Sequence, residues 1–199
     1  EPTLVAGSTV SRATLHNEDE IQRKDVRVGD TVIIQKAGDV IPEVVEILPA
    51  LRPAHSKAFE FPRTCPMCQT ELIRPDGEVV YRCPNTECPG RRRESFLHFV
   101  SRGALDIDTL GEKVIDGLIE FGFIKDPADF FTLQKEQLLE LPLFKEKKAQ
   151  NVLDAIIIRR SVPLERFLYG LGIRFVGEQV AKLLADYLQT QIATHAPSP

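Results

Sequence analysis

Cysteine is scarce in this chain: four residues in 199. That is too few for a disulfide scaffold, since small secreted domains of that kind are dense in cysteine. No apolar run approaches the roughly 20 residues that a membrane-spanning helix needs, so no membrane partner is expected. Positive charge is not in excess either. The 25 Lys and Arg stand against 29 Asp and Glu, a formal net charge of −4. Net charge of that sign does not advertise nucleic-acid binding, although local clustering can override it. The chain has neither an initiator methionine nor a start resembling a signal peptide; Glu1-Pro2-Thr3-Leu4-Val5-Ala6-Gly7 runs straight into strand-like sequence. It therefore reads as a fragment, and the cytoplasm is its expected location. The four histidines, His16, His55, His98 and His195, are scattered, and no Ser-His-Asp or paired-carboxylate arrangement follows from spacing. The rest is a globular composition, 43% hydrophobic and 27% charged, long enough for one or two domains.

The few cysteines are placed with economy. Cys65-Pro66-Met67-Cys68 is followed, after 14 residues, by Cys83-Pro84-Asn85-Thr86-Glu87-Cys88. Two close thiolate pairs joined by a short loop suit a tetrahedral four-cysteine zinc site, with two disulfides as the alternative. Pro75-Asp76-Gly77 is the expected tip of the intervening hairpin. Each pair carries a proline directly after its first cysteine, which fixes one backbone angle in the knuckle. Four thiolates leave no open position for water, so the expected zinc is structural.

Residues 1–60 read as β-structure. Leu4-Val5-Ala6 and Thr9-Val10 are short pieces, and 31–36 and 43–48 are clear strands. Asn17-Glu18-Asp19-Glu20 resembles a capping box for a short helix. Short strands with one interposed helix fit a small Greek-key barrel such as an OB-fold, here with about three of its five strands. From Arg91 the periodicity turns helical, with Phe96, Phe99 and Val100 on one face. Arg91-Arg92-Arg93 is a local basic run, although such runs are most often solvated faces.

The helical part repeats itself. Hydrophobe, Gly or Lys, then Glu opens a helix at Leu110-Gly111-Glu112, Phe144-Lys145-Glu146 and Val176-Gly177-Glu178, with spacings of 34 and 32 residues. A fixed period of this length signals one supersecondary unit used several times. The spacing predicts helices over 112–121, 146–159 and 178–188. Asp126-Pro127 and Ser161-Val162-Pro163 read as further helix starts. A helix opening at Gly-Glu after a tight turn leaves backbone N–H groups able to hold a phosphate oxygen. The 171–177 stretch resembles the helix–hairpin–helix (HhH) motif, and 105–111 is a second copy. In the middle copy, 141–145, Leu143 and Lys145 stand where the motif has glycines, so that copy is expected to pack internally.

Several motifs then agree in order. Ser11-Arg12-Ala13-Thr14-Leu15-His16-Asn17, Val28-Gly29-Asp30 and Lys36-Ala37-Gly38-Asp39-Val40-Ile41-Pro42 closely resemble the OB region of bacterial NAD⁺-dependent DNA ligases. Phe61-Pro62 and the cysteine pairs resemble the zinc finger of that family. His98-Phe99-Val100-Ser101-Arg102, 104–108 and 167–174 resemble its HhH domain. The resemblance covers residues 3 to about 188.

It implies a multidomain α+β chain: an N-terminally incomplete OB-fold barrel (1–60), a small four-cysteine zinc finger (61–90), an incomplete all-α tandem HhH domain (91–188) and a disordered tail (189–199). It implies an enzyme that seals nicks in duplex DNA by adenylyl transfer, monomeric, with NAD⁺ and Mg²⁺ bound mainly outside these residues. The family's adenylylated lysine lies in a Lys-x-Asp-Gly motif that this sequence does not contain, so no catalytic residue is expected here. What the resemblance leaves to this chain is DNA gripping, on the backbone and in the minor groove: Lys36, Gly38, Val40 and Ile41 in the OB turn, and Gly111, Gly172 and Gly177 in the hairpins. The metal ligands would be Cys65, Cys68, Cys83 and Cys88. Two departures from the family stand out: Gln69 replaces a glycine after the second cysteine, and Gly90-Arg91-Arg92 replaces the usual stretch. The rival readings are a non-catalytic zinc and HhH DNA-binding protein, and a protein-interaction scaffold.

Overall fold

A computed structural model of the chain describes residues 2–5, 7–36 and 41–195. Cα packing divides the chain into Glu1–Asn85 and Thr86–Pro199.

The first unit opens with the antiparallel pair β1 (Thr3–Val5) and β2 (Ser8–Val10), matched Thr3 to Val10. Gly7, at φ +77°, lies in the turn between them, a conformation glycine adopts without steric cost. Helix α1 (Glu18–Arg23) begins at Asn17, whose side chain accepts the amide of Glu20. The expected cap is there, but the reciprocal half of the box is not. The Glu20 carboxylate instead takes two hydrogen bonds from Arg23, because the i, i+3 guanidinium offers it a charged partner. Strands β3 (Val32–Gln35) and β4 (Glu43–Ile47) pair antiparallel, with a bulge between Ile33 and Ile34. Thr14 bridges β4 at Glu43 in parallel, its amide on the Pro42 carbonyl and its carbonyl accepting the Val44 amide. The described residues thus hold four strands in two two-stranded sheets, one more than the three expected.

The second unit is helical. Helix α2 (Pro89–Val100) carries proline in its first turn and buries Phe96, Phe99 and Val100, the face the spacing predicts. Next come α3 (Glu112–Glu120), a 3₁₀ turn at Pro127–Thr132, α4 (Lys135–Glu140), α5 (Glu146–Ile158), α6 (Leu164–Gly170) and α7 (Glu178–His195). Asp126 caps the 3₁₀ turn through the amide of Ala128, with Pro127 in the first position. The core lies among α2 to α5. Phe130 is fully buried, its ring centroid 5.6 Å from Phe96 and 6.3 Å from Phe99. Gly117 lets α3 approach the next hairpin: a Cβ there would meet Leu141 at 3.2 Å.

The disordered tail expected over 189–199 is corrected for 189–195, and 196–199 lie outside the described residues. α7 continues through His195. No glycine or proline interrupts it until Pro197, and Thr190 donates its hydroxyl to the Asp186 carbonyl one turn back, so nothing after Leu188 stops the helix. Among the described residues no helix is long and apolar enough to cross a membrane.

Candidate metal centre and nucleic-acid interface

The knuckle is built by short-range backbone geometry. The Cys65 amide bonds the Thr70 carbonyl and the Gln69 amide returns to the Cys65 carbonyl, each at 2.8 Å. This turn requires left-handed backbone at Gln69, φ +59°, which is the physical reason a glycine suits the position. The 14-residue connection forms the expected hairpin. Ile73 and Arg82 exchange both backbone hydrogen bonds, and the Glu78 amide closes on the Pro75 carbonyl across Asp76 and Gly77. Gly77 has φ +77°, the third-residue conformation of a type II turn.

Cys65, Cys68, Cys83 and Cys88 converge so that all four Sγ atoms lie within 4.8 Å of one another, and none is in a disulfide. Cys68 Sγ is 3.5 Å from Cys83 Sγ. A tetrahedral ion with Zn–S bonds of about 2.3 Å places its sulfurs roughly 3.8 Å apart, so the donor set fits zinc. Hydrogen bonds from the Thr70 hydroxyl and amide pull the Cys68 thiol down to about 6, favouring the thiolate that binds metal. Cys88 is the N-cap of α2, where the helix dipole favours negative charge.

The knuckle region also holds α1, through side chains that the sequence did not single out. Arg63 makes a bidentate pair with the buried Glu18 at 2.7 and 3.0 Å, and Arg74 pairs with Asp19 at 2.5 and 2.8 Å. Tyr81 supports both: its ring centroid lies 4.7 Å from the Arg63 guanidinium and 6.0 Å from that of Arg74. These partners are 45 and 55 residues apart, beyond the reach of any local pattern.

The expected DNA-facing residues divide into several cases. In the OB turn, Gly38 and Val40 lie outside the described residues. Lys36 is half-buried and donates to the Ser8 hydroxyl at 3.2 Å, while Ile41 is 72% exposed and so is not barrel core. In the hairpins, Gly111 is the N-cap of α3 in extended backbone that any residue adopts (φ −75°, ψ 171°). A Cβ built at Gly111 or at Gly177, which precedes α7, meets nothing within 4 Å. Among the described residues nothing requires glycine at either place. Gly172 is different: its φ of +63° is a left-handed turn, and a Cβ would touch His98 at 3.5 Å. Glycine is explained there by backbone conformation alone.

The basic run resolves unevenly. Arg93 is spent internally, bidentate on Asp116 at 2.5 and 3.0 Å with Glu112 at 3.3 Å, and Arg92 pairs with Glu87 at 2.9 Å. Likewise Arg159 and Arg166 satisfy the turn of the first hairpin, on the Asp106 carboxylate and carbonyl and on the carbonyls of Ala104 and Arg102. The middle hairpin packs internally through Leu141 and Phe144, as expected, with one exception. Leu141 is buried, but Leu143 is 92% exposed with φ +65°, because the short turn after Pro142 points its side chain away from the core. Phe175, in the 171–177 hairpin, shares that state at φ +67°.

Three family models match in order: the NAD-dependent DNA ligase OB-fold domain over residues 1–56, the NAD-dependent DNA ligase C4 zinc finger domain over 64–89 and the helix-hairpin-helix motif over 166–191. The chain is 51% identical over 190 residues to a DNA ligase of Halalkalibacterium halodurans, 54% over 187 to one of Halothermothrix orenii and 52% over 190 to one of Listeria innocua. These alignments cover 94–96% of this chain, which spans 28% of the length of each relative. The matched models share their order with the motifs, and the four clustered cysteines are those of the C4 zinc finger; the chain belongs to the NAD-dependent DNA ligase family.

Proposed function

We propose that this chain is the DNA-gripping portion of an NAD⁺-dependent DNA ligase, holding a nicked duplex by its backbone and minor groove. The observation that carries the reading is the pair of open helix starts at Gly111 and Gly177. Each stands before an outgoing helix with free space where a side chain would be, room for a phosphate oxygen to approach the first backbone N–H groups. α3 and α7 run 9 and 18 residues, enough for their dipoles to favour an anion.

Zinc, when bound, cross-links the four thiolates and does no chemistry on DNA, since a shell of four cysteines has no open position. Lys36 would meet phosphate and Ile41 would give apolar contact to sugars and bases. The whole enzyme would act as a cytoplasmic monomer, with NAD⁺ and Mg²⁺ serving an adenylyl transfer whose lysine motif is not in this sequence. Residues of this chain alone would not self-adenylylate.

The test is binding of the zinc-loaded chain to nicked and intact duplexes across a salt series. Backbone gripping gives affinity that falls linearly in log–log form with salt, tighter on the nick. Gly177→Ala should weaken binding while leaving zinc content and melting temperature unchanged, because its Cβ enters open space. A folded, zinc-loaded chain that binds neither duplex would overturn the reading.

A further inference from the structure

Leu143 and Phe175 occupy equivalent places in the second and third hairpins, two residues before Lys145 and Gly177. Both have left-handed backbone, φ +65° and +67°, and among the described residues they are the only apolar side chains that do. This conformation is costly for a bulky residue and persists only where the surroundings impose it. Burial does not repay it, since Leu143 is 92% and Phe175 79% exposed. Thr109, at the same place in the first hairpin, has neither property; its hydroxyl is buried.

Each exposed knob has basic residues near it in the sequence, Lys148 among them lying 3.9 Å from the Phe144 ring centroid. Lys145, Lys147 and Lys148 follow Leu143 within five residues, and the one acidic residue among them, Glu146, is paired with Lys135. The Arg174 guanidinium lies 4.5 Å from the centroid of the Phe175 ring. An exposed apolar tip with basic residues near it, Arg174 at Phe175 and the three lysines after Leu143, matches a polyanion with an apolar interior reached through a narrow opening. Apolar wedges that enter the minor groove and partly unstack a base step have this chemistry.

We infer that Leu143 and Phe175 are wedges that insert into the minor groove of duplex DNA while the flanking cations take the phosphates. The inference rests on the proposed DNA-gripping function and assigns the side chains that touch the bases. It is tested with Leu143→Gly, Phe175→Gly and the double variant in the full zinc-loaded chain, titrated against a nicked duplex containing 2-aminopurine across a salt series. Glycine adopts the turn freely, so the melting temperature should hold or rise. Affinity should fall roughly tenfold for each large apolar side chain removed. The salt slope should stay the same, because no charge is lost, and the 2-aminopurine signal of unstacking should diminish. Phe175→Leu should keep most of the affinity.

Glycine variants that bind as tightly as the parent, or tighter, would overturn the inference and leave phosphate gripping by the hairpin amides standing. A lower melting temperature with unchanged affinity would also overturn it, making the knobs part of the fold. Failure of the parent itself to bind duplex DNA would overturn the gripping function and this inference together.

Discussion

The two compact units of this chain are stabilised by different physics. The helical unit has one continuous apolar core, with Phe96, Phe130, Ile115, Leu118, Leu138 and Val152 all nearly inaccessible. In the first unit the only buried apolar side chains among the described residues are Val10, Val44 and Cys65. It relies on arginine–carboxylate pairs, Arg63 with Glu18, Arg74 with Asp19 and Arg52 with Asp25 and Asp30, and supplies three of the four clustered thiolates, Cys65, Cys68 and Cys83. A unit with little core needs such cross-links, because apolar burial scales poorly in small structures. One fold therefore responds to chelators and substitutions of charge, the other to loss of volume.

Removing zinc should expose this difference most strongly. Structural zinc in small modules contributes binding free energy of about 10–16 kcal/mol that is also folding free energy. Chelation, or Cys83→Ser, should abolish amide protection across residues 64–82 while protection in α3 to α5 persists; hydrogen exchange reads both. Equal loss in α3 to α5 would show that the helical core depends on the metal. The converse change is Phe130→Ala, which empties the centre of the helical core and should cost about 3–5 kcal/mol. Calorimetry should show that loss with zinc stoichiometry unchanged.

A smaller effect is expected at the arginine pairs. Arg63→Leu alone leaves the buried Glu18 carboxylate without its bidentate partner and should lower the melting temperature of the first unit. Arg63→Leu combined with Glu18→Met should recover much of that loss, because replacing both charges removes the desolvation problem that breaking one creates. A double variant no better than the single would mean that the pair acts through Tyr81 packing instead.

The smallest effect concerns pH in the helical unit. Backbone amides of Lys125, then Asp126, hold the Asp129 carboxyl below the ordinary aspartate value of 3.8. A carboxyl depressed in the folded state contributes stability that is fully present above that value and is lost as pH falls through the folded one. Asp129→Asn should therefore melt lower than the parent at neutral pH, and the gap should close below about pH 3.8. A gap that persists at lower pH would assign the effect to side-chain geometry rather than charge.

What was legible in the sequence follows the range of the interaction. The cysteine spacing, the Pro75-Asp76-Gly77 turn, the Asn17 and Asp126 caps and the helical face of Phe96, Phe99 and Val100 are all decided within a few residues. Gln69 was visible as a departure from a glycine, and its left-handed backbone shows why glycine suits that turn. The polar run after Leu188 resembles a helix stop, whereas a helix without glycine or proline has no local reason to end, and α7 runs on to His195. Gly172 and Gly177 looked alike in the sequence; only backbone angles and the space around each separate a conformational glycine from an open one.

The sequence by itself therefore determined the clustered cysteines, the order of modules and the family, since these rest on residue type and short spacing. The tertiary structure alone decided which charges are available to a partner. Arg93 stands in a basic run, yet it is committed to Asp116, as Arg159 and Arg166 are to Asp106 and the carbonyls of the first hairpin. It also decided that Leu143 and Phe175 face outward, because exposure depends on the packing of segments distant in sequence, which no local pattern encodes.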